Sequence, residues 1–426
     1  MTHFSSRLVH ALCHGPARLR PVAVPLCAAA AAVFLCAATS CIVFLARCVP
    51  LSPGDEAEAR KGFPWDGQHF LEIADKGYSY DPGHRSMVAF FPVYPLSARF
   101  TAWITGTDLR RALPLTANGY LIGAFVLLLV YARRRFERRG SLGGDGPADG
   151  TPTLRLAVGY TLLALGLFPT SFFFRVPYSE SCFLFFAILA MLAMQRGWPL
   201  LVVAGVVGLT TAVRPVGIAL LPVYWLYVCR GSTNRRTALL KLLLLTPVAA
   251  WGLLAYMDFQ NVTFGDPLAF ARTQEHWSAR INTTTSDKAL SLMSYEPIWS
   301  VYQRGSPAYW RRLEPDVAAP VNLAFANPIY FLLATALVVL GRWKRWLNGA
   351  ETLLAALLIL IPYVTRAYEM CMLSEGRFMA VVFPIYLVLG QILSRIPGPL
   401  AALILCFSAF LMAAYAAQFA AGYPLI

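Results

Sequence analysis

One acid, a few arginines and a dense set of aromatic residues are the groups whose types and spacing suit chemistry in this chain. Asp66 stands in Trp65-Asp66-Gly67-Gln68-His69-Phe70, just ahead of a stretch, Leu71 to Tyr78, that reads as a short amphipathic helix. A carboxylate there has two readings. It can take a proton from an attacking hydroxyl as a general base, or it can cap the helix that follows. Trp65, Gln68 and His69 are its candidate substrate-binding neighbours, with Trp65 and Phe70 equally suited to anchoring at a membrane interface. Arg214, before Pro215, interrupts the apolar run from Val202 to Cys229. Ionisable groups inside such runs are expensive, and the planar guanidinium fork suits a phosphate, although an arginine at a span's end can also reach to lipid headgroups. Tyr178 and Glu180 lie in Arg175-Val176-Pro177-Tyr178-Ser179-Glu180, where an ion pair between Arg175 and Glu180 is the simplest account of the charges. Gly265-Asp266-Pro267-Leu268 reads as a turn with Asp266 capping a helix that reaches Gln274, His276 and Trp277. A last charged group comprises Arg366, Glu369, Glu375 and Arg377. There is no G-x-S-x-G, H-E-x-x-H, Walker loop or D-x-D in the sequence, so neither a soluble hydrolase nor a metal-held nucleotide sugar is indicated.

The elements that must hold these residues are membrane helices. The chain has 426 residues, of which 58% are hydrophobic, and a mean hydropathy of +0.56. Soluble domains of this length do not carry so much apolar surface. The expected fold is an all-α polytopic integral membrane protein with about eleven spans. They fall at approximately 22–48, 113–132, 154–174, 179–195, 197–213, 215–229, 238–257, 322–341, 350–366, 378–394 and 399–419. The segment around Phe90-Phe91-Pro92-Val93-Tyr94-Pro95-Leu96 is broken by prolines and reads as embedded or interfacial, with packing its default role. The net charge of +14 fits loops on the cytoplasmic side better than nucleic acid, for which no basic recognition fold is present. Arg133 to Arg135, Arg196, Arg230, Arg235, Arg342 and Arg395 all follow even-numbered spans, which places them with the basic N-terminus in the cytoplasm. Two long segments, about 51–112 and 258–321, then face outward, and the active face is expected there. Residues 1–21 form a cytoplasmic basic arm and 22–426 one transmembrane domain. The Gly- and Asp-rich stretch within 133–153 is a cytoplasmic linker. The nine cysteines show no C-x-x-C spacing. Cys48 and Cys371 share the outer face, where a disulfide between them is conceivable.

The ordered set Trp65 to Phe70, Ala89 to Leu96, Phe168-Pro169-Thr170-Ser171-Phe172-Phe173-Phe174, Pro177-Tyr178-Ser179-Glu180-Ser181, Arg214-Pro215-Val216-Gly217 and Gly265 to Phe270 resembles the PIG-V mannosyltransferase family. Its eukaryotic members add the second mannose to glycosylphosphatidylinositol. Glu375-Gly376-Arg377-Phe378 is a weaker match. The resemblance implies a GT-C-like fold, a polyprenyl- or dolichyl-phosphate sugar as donor, a glycolipid acceptor and inversion at the anomeric carbon. It also implies a catalytic acid on the first outer loop, which Asp66 matches. The expected substrate-binding set is Trp65, Gln68, His69, Tyr178, Glu180, Arg214, Gln274, Trp277 and Arg377, with Arg214 and then Arg377 taking the phosphate. The donor is a substrate, so no cofactor is expected, and a metal requirement is left open. A transporter or flippase of lipid-linked sugars, or a GT-C transferase acting on protein or cell-wall glycan, are the alternatives. Pseudo-repeats would mark the first, and none is obvious.

Overall fold

The computed structural model describes residues 20–49, 65–141, 152–280, 284–312 and 317–423. Residues 1–19 of the basic arm and 142–151 of the expected linker lie outside these. Among the described residues the secondary structure is helical, with no strand. Each of the eleven apolar runs has a helical counterpart, but few are full-length spans. Leu26–Arg47, Leu109–Arg138, Leu323–Trp343, Gly349–Ala367 and Gly398–Ala420 are long and apolar enough to cross a membrane. Arg235–Ala249 and Trp251–Phe264 make a sixth only if taken together across their 52° bend.

Proline accounts for much of the shortfall. The run expected at 154–174 ends as a regular helix at Leu167 and tightens into a 3-10 turn over Pro169–Phe174. The residue ahead of a proline is biased out of the helical region, and proline itself has no N–H to give. The run expected at 378–394 divides into Glu375–Ala380 and Pro384–Leu393 for the same reason. Pro247 lies three residues before the bend at Ala250. Leu200–Thr211 is likewise too short to cross alone.

These short helices pack closely. A Cβ added to Gly252 would fall 2.2 Å from the carbonyl oxygen of Gly208, so the backbones of Leu200–Thr211 and Trp251–Phe264 touch where only glycine fits. Glu351 ties two long helices, Leu109–Arg138 and Gly349–Ala367, together. It is fully buried, accepts hydrogen bonds from Tyr131 (2.8 Å) and from Arg135 Nε (2.9 and 3.1 Å), and completes a capping box with Asn348.

The short helix expected after Asp66 spans Asp66–Lys76 and buries Gly67, Phe70, Ile73 and Ala74 along one face. The proline-broken segment forms a 3-10 turn, Met87–Ala89, and a helix, Val93–Thr105. That helix turns Tyr94 and Ala98 inward and leaves Leu96, Phe100, Trp103 and Ile104 exposed, an amphipathic arrangement suited to an interface. Cys48 and Cys371 are both free, Cys48 exposed and Cys371 buried, so no disulfide joins them.

Candidate active site

Asp66 is the first residue of its helix, not its cap. The cap position belongs to Trp65, which has a left-handed φ of 59° and makes no side-chain capping bond. The Asp66 carboxylate instead pairs through Oδ2 with Arg377 Nη1 at 2.6 Å. A carboxylate in the first turn is also favoured by the helix dipole. Of the two readings open from sequence, capping therefore fails on geometry.

Arg377 carries the site further. Its Nε bonds Glu180 Oε1, and the same oxygen is paired with Arg214 Nη1 at 2.5 Å. Asp66, Arg377, Glu180 and Arg214 thus form a row of alternating charges drawn from four separated segments. Glu180 is completely buried, while the side chains of Arg377, Arg214 and Asp66 are 10, 12 and 16% exposed. Buried charges persist only when paired in this way. Aromatic faces complete the desolvation: the Arg377 guanidinium lies 4.8 Å from the centre of the Tyr178 ring and 5.6 Å from that of Phe173, and Arg214 lies 5.7 Å from that of Phe378.

The expected pair between Arg175 and Glu180 is not formed. The 3-10 turn over Pro169–Phe174 delivers Arg175 to the first long helix. There it bonds Thr39 Oγ1 (2.7 Å) and Ser40 Oγ (3.1 Å), together with the carbonyls of Ser171 (2.8 Å) and Gly166 (3.1 Å). Glu180, freed from its sequence neighbour, serves two distant arginines.

A second wall stands on the other side of Asp66. His69, one turn along the same helix, stacks on Phe90 with ring centres 5.0 Å apart and meets Trp277 edge-on at 5.5 Å. Burial lowers the His69 pKa, with Asp66 and Glu72 acting against that shift, so the ring is neutral at pH 7 and offers one donor and one acceptor. The Trp277 Nε1–H is buried without a hydrogen-bond partner. Gln274 accepts a hydrogen bond from Arg366 Nη1 and donates to the carbonyl of Phe270. Gln68 is exposed, and Trp65 is 39% exposed. Asp266 accepts from Leu268 N at 3.0 Å and from the Tyr80 hydroxyl at 3.2 Å, and pairs with Arg272 at 3.0 Å. Among the described residues, no three of His, Cys, Asp or Glu gather as a metal-ligand set.

Two residues of the late charged group gain importance from the structure. Glu375 is fully buried, and neither carboxyl oxygen has a hydrogen-bond partner. Desolvation pushes its pKa up to about 8, against the pull of Arg366. Its backbone is fixed next door, where Gly376 N donates to Asn327 Oδ1 (2.9 Å) and Gly376 O accepts from Thr170 Oγ1 (2.6 Å). Arg366, half-buried, lies in a single π-helical turn, Tyr363–Ala367, a rare geometry that recurs at functional sites. The signals in the sequence are the clustering of four charges between residues 366 and 377 and, for Glu375 alone, the weaker family match at Glu375 to Phe378.

A family-wide sequence pattern described as Mannosyltransferase (PIG-V) matches residues 58–261. The GPI alpha-1,6-mannosyltransferase 2 of Rattus norvegicus is 29% identical over 66% of this chain and 56% of its own length. That of Cricetulus griseus is 27% identical over the same shares. The chain thus spans about half the length of the curated relatives it matches. Among solved structures, the Archaeoglobus fulgidus oligosaccharyltransferase aligns with a TM-score of 0.48 at 13% identity, covering 90% of this chain and 53% of that one. The region that matches the Mannosyltransferase (PIG-V) pattern, residues 58–261, contains Asp66, Tyr178, Glu180 and Arg214, and over it the chain is similar to the PIG-V mannosyltransferases.

Proposed function

We propose that this protein is a membrane glycosyltransferase that moves mannose, or a related hexose, from a polyprenyl- or dolichyl-phosphate to a hydroxyl of a glycolipid. The observation that carries this reading is the Asp66 carboxylate, held through one oxygen by Arg377 in a desolvated row of paired charges. In the reaction, the acceptor oxygen attacks the anomeric carbon from the face opposite the phosphate, and the carbon–oxygen bond to phosphate breaks with its electron pair. The configuration inverts, and the acceptor's proton passes to Asp66. A lipid phosphate leaves readily, so activating the hydroxyl is the task left to the protein. Trp277 Nε1–H and the neutral His69 ring line the same region and suit sugar hydroxyls.

The placement of the basic clusters after even-numbered apolar runs supports a GT-C-like arrangement of about eleven membrane-embedded segments, with Asp66 on the external or lumenal face. The test is transfer of label from dolichyl-phosphate-mannose to candidate glycolipids by membranes containing the protein. Transfer from a nucleotide sugar, with none from the lipid donor, overturns the reading. Movement of the intact lipid-linked sugar across the bilayer without transfer assigns a flippase instead.

A further inference from the structure

Arg214 and Arg377, the cations that sequence favours for a phosphate, are each committed to Glu180, and Arg377 also to Asp66. Arg366 is not so committed. Its hydrogen-bond partner is the neutral Gln274, and among the described residues no carboxylate lies within ion-pair distance of it.

We propose that Arg366, steadied by Gln274, is the ligand for the phosphate of the lipid-linked donor. This deepens the transferase reading and rests on it. Arg366 feels Glu369, Asp66 and Glu375 as its acidic neighbours and Arg377 as a like charge. Glu369 holds Lys288 through Oε1 and keeps Oε2 buried without a partner, outside ion-pair distance of Arg366, and Asp66 is held by Arg377. Glu375 is buried without a partner and holds its proton at neutral pH. The positive charge of Arg366 is therefore left for a ligand.

Its position suits a lipid phosphate. Arg366 is the penultimate residue of the apolar helix Gly349–Ala367. A donor that keeps its isoprenoid among the lipid chains presents its phosphate at that level, near a helix end. The π-helical turn displaces the side chain from a regular helical register, and Gln274 fixes one arm of the guanidinium, leaving the others to take phosphate oxygens in the paired geometry that arginine favours. Arg85 also lies beside the site with no carboxylate partner among the described residues. It is exposed, donates to His276 O at 2.8 Å and lies 5.2 Å from the centre of the Trp277 ring. A rim cation of that kind is screened by solvent and serves as the comparison.

The protein in phosphatidylcholine nanodiscs is titrated with polyprenyl phosphate and, separately, with inorganic phosphate, and binding is read from the shift in melting temperature. Arg366→Met should weaken polyprenyl phosphate at least about tenfold, as expected for a charge-assisted contact. Arg366→Lys should fall between it and the wild type, and Arg85→Met should stay within about twofold. Arg366→Gln provides a second neutral variant should the Met variant not fold. Wild-type affinity in both neutral variants overturns the assignment, as does a loss that follows Arg85. Equal affinity for inorganic and polyprenyl phosphate, both dependent on Arg366, makes free phosphate the ligand and overturns the lipid assignment. A wild-type protein that binds polyprenyl phosphate through Arg366 yet transfers no sugar overturns the transferase reading alone. One that transfers sugar while Arg366→Met keeps its donor KM overturns the role of Arg366 alone.

Discussion

Replacing Glu180 by Gln tests whether the charged row is one coupled unit. Glu180 is fully buried and its Oε1 serves both Arg377 and Arg214. In Glu180→Gln, Arg377 keeps Asp66, but Arg214 retains only the face of Phe378 and becomes an uncompensated cation that is 12% exposed. Two unit charges 4 Å apart attract by about 4 kcal/mol at an effective dielectric constant of 20. Desolvation offsets part of that in the intact pair, whereas removing one partner from a buried pair costs about 3–5 kcal/mol. The variant should melt at least about 5 °C below the wild type in tryptophan-fluorescence unfolding, taking about 2 °C per kcal/mol for a large domain. The second half of the test is Glu180→Gln combined with Arg214→Met, which removes the stranded cation and fills its volume with an apolar chain. This double variant should recover about 2 kcal/mol or more, because apolar replacement of a buried pair is often neutral or better. The refuting result is additive loss in the double variant, since additivity marks sites that do not interact.

Three other changes have defined outcomes. Asp66→Asn should reach the membrane and bind polyprenyl phosphate with near-wild-type affinity, yet lose about 10²–10⁴-fold in turnover from lipid-linked mannose; near-normal turnover in a well-expressed protein would remove Asp66 from the role of base. Glu375→Gln should raise stability at pH 7.5 but not at pH 4.5. Below its ordinary value of 4.5 this carboxyl is protonated whether the chain is folded or not, and between there and about 8 only the unfolded chain gives up the proton, so wild-type stability falls with rising pH by up to about 4 kcal/mol at pH 7.5. A pH-independent difference between the two proteins would count against that. Gly252→Ala places a methyl where the Gly208 carbonyl lies 2.2 Å away, and the clash should lower stability by about 1–3 kcal/mol; an unchanged melting temperature would mean the two helices separate freely.

Asp66 was legible because its surroundings are local. A Trp-Asp-Gly sequence and a short amphipathic helix lie within a dozen residues. The positions of the helices were legible for the same reason, since hydropathy is read in windows. Helix length was less so, because hydropathy does not register what Pro169 and Pro384 do to a run that stays apolar across them. The charged residues were the hardest to read. Adjacency pointed Glu180 to Arg175, five positions away, but the backbone turn between them sends Arg175 to Thr39 and leaves Glu180 to Arg377, 197 positions away. Whether an arginine is available to a substrate depends on which carboxylates its neighbours have already taken. At Arg366 that means knowing that Glu369 holds Lys288, that Asp66 holds Arg377 and that Glu375 is buried without a partner. None of these three facts is written within a window of sequence. Sequence could therefore place four charges together between residues 366 and 377 without showing which arginine lacks a carboxylate partner, because a spare charge is a property of the folded network and not of the residue that bears it.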